Sequence, residues 1–243
     1  MKLARFFSSG LFALAGVWAM GSGSAWAAYT LIDVKGGGFK TGQQLEASDT
    51  VNLKEGERIT VVGVNGKTIT LRGPYSGPLS KEPEGATDRA SALAALIANR
   101  DARTSTVGVI RAGNDSARLP SPWLVDVSFS STKCIQPGNK PVWWRPDAAG
   151  TDTLSVSPAD RSWKADYVWP AGQAVLNPDQ VLQLQAQNLM YVRTGQKEVG
   201  IQLLVLPAMI KDPIVQLGWM LEKGCVQQAN AFLDELRDRE QRQ

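Results

Sequence analysis

Short runs in which apolar and polar residues alternate fill residues 29–72, a pattern typical of β-strands with one buried face. The clearest element is a hairpin, with strands over residues 59–64 and 67–71. These strands flank Asn65-Gly66, the dipeptide that best suits a two-residue type I′ turn. The pattern therefore predicts a small amino-terminal β module.

The turn also predicts which hairpin residues lie opposite each other. A two-residue turn places Val62 opposite Ile69 and Thr60 opposite Leu71, which gives one apolar face. The other face carries the polar residues of the second strand, which are Thr68, Thr70 and Arg72. We expect this hairpin to be half buried.

A stretch rich in proline and glycine follows over residues 73–87, and neither helix nor strand tolerates such a composition well. We predict a linker or long loop there. Asp88 can then cap a helix that runs to about Arg100. Its inward stripe consists mostly of small apolar residues, namely Ala90, Leu93, Ala94 and Ile97.

A second β-rich region spans residues 123–207, where turns containing Gly, Pro, Asn or Asp separate short apolar runs at sandwich-like spacing. We expect an antiparallel sandwich or barrel. The predicted strands cover residues 123–129, 142–145, 153–156, 163–169, 174–176, 181–186, 189–193 and 199–206.

The carboxy-terminal segment predicts two short helices. Asp212 can cap the first helix, Pro213 suits its first position, and Gly224 can end it. The second helix begins near Cys225. Its inward stripe consists of Val226, Ala229, Phe232, Leu233 and Leu236. The segment is therefore expected to form an αα-hairpin.

The first residues have the three-part layout of a cleavable secretory signal peptide. Two basic residues precede an apolar stretch over residues 11–20, and a run of small residues leads to Ala27. The alternative is an uncleaved membrane anchor, but the apolar core is about half the roughly 20 residues that span a bilayer. We predict cleavage between Ala27 and Ala28 and a soluble product outside the cytoplasm.

The sequence thus predicts a mainly β protein, in which a small amino-terminal β module and a β-sandwich-like region are joined by a linker helix and followed by a helical hairpin. The expected boundaries are residues 1–27 for the signal peptide, 28–73 for the β module, 74–122 for the linker with its short helix, 123–207 for the sandwich-like region and 208–243 for the αα-hairpin.

Charge and hydropathy argue against a nucleic-acid-binding protein and against a membrane-spanning one. The chain carries 26 Lys and Arg against 23 Asp and Glu, and two of the basic residues lie in the signal peptide. A nearly neutral mature chain lacks the clustered positive charge that nucleic-acid binding needs. Prolines and charges interrupt the most apolar later stretch, residues 199–221, so we expect no membrane-spanning helix after cleavage.

Cys134 and Cys225 are the two cysteines of the chain. In an oxidising compartment we expect one disulfide, which closes a loop of about 90 residues. Two buried free thiols are the alternative. Because the chain has no histidine, a two-cysteine metal site is disfavoured, and the sequence indicates no cofactor.

The absence of histidine also removes the commonest general base and the Ser-His-Asp and Cys-His nucleophile systems. A Ser-Lys pair is one remaining candidate, because Ser130 and Lys133 match the S-x-x-K string of penicillin-binding enzymes. However, their K-T-G partner, Lys40-Thr41-Gly42, stands in the reversed order. The other remaining candidate for catalysis is a pair of carboxylates, drawn from Asp147, Asp152, Asp160 and Asp166.

Tryptophans are the positive feature of the second β region. Trp143, Trp144, Trp163 and Trp169 fall within 27 residues, and alternation places Trp163 and Trp169 on one face of a strand. That face is either sandwich core or, if exposed, a platform for sugar rings or for a partner surface. Neighbours on a regular strand point to opposite faces, so we expect one of Trp143 and Trp144 to face outward as a contact residue.

Residues 45–73 read LEASDTVNLKEGERITVVGVNGKTITLRG, and residues 53–61 and 66–71 supply a strand, a polar turn and an apolar hairpin. This stretch resembles the amino-terminal half of FecR-type β modules. FecR regulators carry a cytoplasmic anti-sigma segment and a membrane helix before that module, where this chain has a signal peptide. The resemblance therefore implies a secreted accessory protein of a Gram-negative-type envelope, without sigma-factor signalling.

These observations favour a non-catalytic accessory protein, periplasmic or secreted. It would interact with an envelope or membrane protein as a sensory or scaffolding partner, through an exposed tryptophan and the helical hairpin. A module that binds glycan or peptidoglycan through the tryptophan face is the first alternative. A histidine-free hydrolase is the second, and it requires two carboxylates, or a serine and a lysine, in one cleft.

Overall fold

The computed structural model describes residues 28–80, 96, 117–178 and 187–242. Within them the chain folds mainly into β-strands, which form four sheets, and two helices pack among these sheets. The expected fold class is confirmed. The signal peptide, the strand at residues 181–186 and the linker helix lie outside the described residues, except that Leu96 is helical and buried.

Six strands form the amino-terminal module: β1 (Ala28–Lys35), β2 (Gln44–Glu46), β3 (Thr50–Leu53), β4 (Arg58–Gly63), β5 (Thr68–Arg72) and β6 (Tyr75–Pro78). An antiparallel sheet has the order β2-β1-β4-β5, and β3 pairs with β6. Their shared core contains Tyr29, Leu31, Leu45, Val51, Leu53, Ile59, Val61 and Leu79.

The prediction that the module ends at residue 73 is wrong, because β6 lies in the expected linker. The strand pairs along its length with β3, and the following Leu79 is buried. Pro78 is tolerated because it is the last residue of its strand, and β3 is the one strand that pairs with β6 among the described residues.

The hairpin of β4 and β5 is confirmed, but its register is shifted by one residue. The amide of Gly63 donates to the carbonyl of Lys67, so the loop holds three residues and ends in Gly66 at φ 73°. The apolar residues of β5, Ile69 and Leu71, consequently lie opposite Val61 and Ile59. The sequence did not reveal this shift because β4 is buried on both of its faces.

In the described part of the second β region, residues 117–178 and 187–207, there are eight strands: β7 (Leu124–Asp126), β8 (Ser131–Ile135), β9 (Val142–Trp144), β10 (Asp152–Pro158), β11 (Ala165–Trp169), β12 (Val175–Leu176), β13 (Gln187–Thr194) and β14 (Lys197–Val205). One sheet has the order β11-β10-β13-β14-β8, and a second has the order β12-β9-β7. Apolar side chains from both sheets form one core.

The sequence predicted an antiparallel sandwich, but two of the strand pairs are parallel. β8 runs parallel to β14, and β7 runs parallel to β9. β8 itself was missed, because its residues begin with the polar run Ser131-Thr132-Lys133 and do not show a simple apolar alternation. This missed strand carries Cys134.

Helix α1 (Pro213–Glu222) and helix α2 (Val226–Glu240) form the predicted αα-hairpin. The carboxylate of Asp212 caps α1 by accepting from the amides of Ile214 at 2.8 Å and Val215 at 3.2 Å. Gly224, at φ 79°, separates the two helices in a conformation that glycine adopts without strain.

The hairpin packs against both β regions at once. Its apolar residues share one core with Ile32 and Val62 of the first sheet and with Leu204 of the second. A Cβ at Gly218 would lie 2.9 Å from Val62, so α1 approaches the sheet at a position without a side chain. At the rim, Asp33 accepts from Lys223, the residue after α1, and, at 2.7 Å, from Arg58.

The disulfide between Cys134 and Cys225 is confirmed. It joins β8 to the residue before α2, with the two Cα atoms 5.9 Å apart, and both cysteines are buried. The helical hairpin is therefore covalently fixed to the sandwich and non-covalently packed on the amino-terminal module.

Gln228 of α2 fills a gap between the edge strands of the two sandwich sheets. Its fully buried side chain accepts from the amide of Cys134 at 2.6 Å and donates to the carbonyl of Cys134 at 2.8 Å. It also donates to the carbonyl of Leu124 at 3.2 Å. One amide side chain thus satisfies backbone groups on both β8 and β7, which would otherwise be unpaired inside the protein.

Candidate functional site

Trp143 and Trp144 are both buried, so the prediction that one of them faces outward is wrong. Trp143 points into the sandwich core. Trp144 points the opposite way, as alternation requires, but there it packs against Leu119, Leu124 and Ala231 of α2. The two residues do face opposite sides of β9, and each side is covered by another layer.

Trp169 is also buried and belongs to the sandwich core. The guanidinium of Arg145 lies 4.8 Å from its ring, in cation–π contact. Trp163 lies before β11 and is 40% exposed. The predicted tryptophan face is therefore core at one end, and a single indole remains open to solvent at the other.

Trp163 borders a cleft of about 210 Å³ on the outer face of the five-stranded sheet, hereafter the Trp163 cleft. Its lining is aromatic and polar, and it consists of Ser155, Ser157, Arg161, Trp163, Lys164, Tyr191, Arg193 and Glu198. The sheet residues among them alternate with core residues such as Val156 and Val192, which explains why they point outward.

The strand register places the polar side chains of this face in one row. Asp166 of β11 lies opposite Ser155 of β10, Ser155 lies opposite Arg193 of β13, and Arg193 lies opposite Glu198 of β14. In the next row, Ser157 and Tyr191 are followed by Gly200, which leaves space beside the Tyr191 ring. Residues far apart in sequence thus form one compact surface.

Arg161 is the most constrained residue of the cleft. Its guanidinium donates to both carboxylate oxygens of Glu198, at 2.7 and 3.1 Å, and stacks 4.4 Å from the Tyr191 ring centre. Its backbone φ is 55°, a left-handed conformation that is costly for a residue with a side chain. The contacts with Glu198 and Tyr191 place the guanidinium at the edge of the cleft.

The two carboxylates of this surface are stabilised in their charged form. The hydrogen bond from Arg161 lowers the pKa of Glu198. Hydrogen bonds from Lys164 and then from Ser155 lower the pKa of Asp166. A general acid at neutral pH needs a raised pKa, and a carboxylate with a lowered pKa is a weak base. Neither group is tuned for proton transfer.

The other carboxylates named from the sequence bond to nearby backbone amides. Asp147 accepts from Ala149 at 2.9 Å, and Asp160 accepts from Ser162 at 3.0 Å. Asp152 accepts from the amide of Gly195 at 3.0 Å. These are turn and loop contacts, in which an aspartate fixes local backbone.

The S-x-x-K residues do not form a pair. Ser130 accepts from the amide of Gly200 at 3.0 Å on the surface, whereas Lys133 is buried and donates to Gln227 of α2. Gln227 donates in turn to the buried carboxylate of Asp126 at 2.8 Å. The lysine therefore belongs to a polar network that ties α2 to the sandwich.

Burial lowers the pKa of Lys133 from 10.5 to about 8, and Asp126 opposes part of that shift. Between these values the unfolded chain holds a proton that the folded chain has released, so stability rises with pH. We expect Lys133 to add about 3 kcal/mol to the free energy of unfolding as the pH increases across this range. Urea unfolding at a series of pH values measures the effect.

Lys133→Met is the matched control for that pH series, because methionine keeps an unbranched side chain and cannot titrate. The variant is expected to lose the rise while other titrating groups still contribute equally. Stability curves that stay parallel for the wild type and Lys133→Met would contradict the prediction.

The helical hairpin, the second expected contact surface, has its apolar stripe buried between the two β regions. Among the described residues no helix is long and apolar enough to cross a membrane. In the same part of the chain, no group of three or more His, Cys, Asp or Glu is placed to hold a metal ion.

No family model, curated protein or solved structure matches this chain. The function of the Trp163 cleft is therefore inferred from its own geometry.

Sequence reasoning named Trp163, but it missed Arg161, Tyr191 and Arg193, which the strand register brings beside it. The alternation of Leu189, Tyr191 and Arg193 with buried residues was the available signal.

Proposed function

We propose that this chain is a non-catalytic accessory protein of the cell envelope, which binds a protein partner through the Trp163 cleft. The observation that carries the proposal is an exposed indole beside a stacked tyrosine and arginine on an open sheet face. Tryptophan, tyrosine and arginine are the residues most enriched among those that dominate binding energy at protein interfaces.

Neighbouring apolar residues support a surface larger than the cleft itself. Val168 on β11 is 70% exposed and Leu189 on β13 is 39% exposed. Large exposed apolar side chains close to a rigid polar site are typical of interaction surfaces. The fixed Arg161 reduces the ordering cost of binding, because its side chain is already held in place.

An envelope location is supported by the chain's amino-terminal pattern and by its disulfide. The signal-peptide layout predicts Ala28 as the first mature residue. A buried disulfide is typical of proteins from oxidising compartments. The FecR-like resemblance of residues 45–73 agrees with this proposal and adds no activity to it.

Glycan binding is the second candidate, and Trp163 is the observation that favours it. One exposed indole next to serine hydroxyls can stack on one sugar ring. Trp143, Trp144 and Trp169 are buried, so the extended platform of several indoles is not present. Binding through one ring would be weak, and we therefore place a protein partner first.

A photo-activated cross-linker tests the proposal in living cells. Benzoylphenylalanine is placed at position 163 and, as a control, at position 209, where Met209 is 66% exposed on another surface. We expect a discrete protein adduct from position 163 and not from position 209. Trp163→Ala should then weaken binding of the identified partner by about 2 kcal/mol, or about thirtyfold, in a titration.

Two results would refute a protein partner at this site. The first is the same set of adducts from both positions, which indicates random collision. The second is retention of the mature chain on purified peptidoglycan that Trp163→Ala abolishes, with no protein adduct. That second outcome assigns the cleft to glycan.

A further inference from the structure

Arg193 is the third cation that lines the Trp163 cleft, beside Arg161 and Lys164. Its guanidinium makes no hydrogen bond or ion pair with any described residue, and it influences Asp166 and Glu198 only through space. Arg161 is held by Glu198, and Lys164 is held by Asp166 at 2.8 Å. The charges within these two ion pairs cancel, so Arg193 gives the surface one excess positive charge.

We propose that the Trp163 cleft binds an acidic segment of the partner protein, with one glutamate or aspartate carboxylate on Arg193 and an adjacent apolar residue against Trp163. This inference rests on the proposed function and names the chemistry of the partner.

The charges around Arg193 limit which anions fit. Arg193 lies directly opposite Glu198 in the sheet, and Asp166 stands at the other end of the same row. These two carboxylates repel a dense polyanion such as nucleic acid or a phosphate dianion. A single carboxylate can still accept two hydrogen bonds from the planar guanidinium.

The size and shape of the cleft favour a peptide over a free small molecule. Its volume of about 210 Å³ is below the roughly 300 to 1,000 Å³ of typical small-molecule sites. It therefore holds one or two residues of a longer chain that lies across the open face. Gly200 leaves the Tyr191 ring accessible at the cleft edge, which gives that chain room to pass.

Two blocked pentapeptides test the inference by NMR titration of the ¹⁵N-labelled mature chain. One has a central glutamate between two phenylalanines, and the other has glutamine at that position. We expect shifts at the Trp163 indole and at the Gly200 amide with the glutamate peptide, and binding about fivefold weaker with the glutamine peptide. Raising the salt concentration should reduce that difference.

Arg193→Gln is the decisive variant, and Arg72→Gln is its matched control, because Arg72 is an exposed arginine on a strand of the other β region. Arg193→Gln should abolish the preference for glutamate, and Arg72→Gln should retain it. Equal binding of the two peptides to the wild-type chain, or equal loss in both variants, would overturn the inference. Tighter binding of inorganic phosphate than of the glutamate peptide would do the same.

The peptide experiment and the cross-linking experiment can give different answers, so the two proposals can be refuted independently. If residue 163 cross-links to a protein and the peptide preference is absent, the acidic chemistry is wrong and the interaction surface stands. If position 163 gives no specific protein adduct, both proposals are wrong.

Discussion

Removing the Cys134–Cys225 disulfide should lower the free energy of unfolding by about 4 to 5 kcal/mol, the largest effect that we expect from any small change to this protein. The two cysteines are 91 residues apart in sequence, so the bond greatly restricts the unfolded chain. The measurement is urea unfolding of Cys134→Ala/Cys225→Ala beside the oxidised wild type. The variant should also show a larger m-value, because its unfolded state exposes more surface.

Reduced wild-type protein separates the cross-link from the packing of the sulfur atoms. Both cysteines are buried, and the reduced thiols keep almost the same volume. Reduction alone should therefore reproduce most of the loss. A decrease below about 1 kcal/mol in both samples would mean that the loop is already ordered in the unfolded chain.

Gln228→Leu should destabilise the fold by about 3 to 5 kcal/mol, although leucine is apolar and similar in size. The substitution leaves the amide and carbonyl of Cys134 and the carbonyl of Leu124 unpaired in the interior. Each buried unsatisfied group costs about 1 to 3 kcal/mol. Thermal or urea unfolding of the oxidised variant provides the value.

Two other glutamine variants make that result interpretable. Gln228→Glu is isosteric and keeps the acceptor for the amide of Cys134, but an ionised carboxylate cannot donate to the two carbonyls, so it should also be destabilised at neutral pH. Gln216→Leu removes a partly exposed glutamine that donates to the carbonyl of Ile210, and it should cost under about 1 kcal/mol. Similar losses for Gln216→Leu and Gln228→Leu would contradict a special role for Gln228.

The helical hairpin could be predicted because its signals are local. An aspartate cap followed by proline, and a glycine between two apolar stripes, act within one or two helical turns. Gln228 was missed because a polar residue on a helix is ordinarily placed on the solvent side. Its burial depends on two sheet edges that come from distant parts of the sequence.

The pairing register of the strands and the covering of each sheet face could not be predicted from the sequence patterns. β4 is buried on both faces, so its own residues do not distinguish two registers that differ by one position. Trp143 and Trp144 were placed on opposite faces, but α2 and a preceding loop cover the face expected to be open. Whether a face is exposed depends on a third layer, and strand alternation does not report that layer.

The candidate site illustrates the same limit. Trp163 could be chosen from composition, because it is one of a cluster of tryptophans. Arg193, Glu198 and Ser155 lie in one row through pairings between three strands, and no local motif encodes such a row. A single sequence therefore supplies the residue types of the site but not their assembly.

The packing of α1 on the first sheet also determines the order in which this fold can be completed. Lys223 and Asp33, which meet at that contact, are separated by 190 residues. In the order of synthesis β1 to β5 come long before α1, so Ile32 and Val62 precede the helices that cover them by most of the chain length. Contacts of such long range slow folding. The side of the first sheet that carries Ile32 and Val62 would need protection until the helices pack on it, either by a chaperone or because the sheet itself folds late.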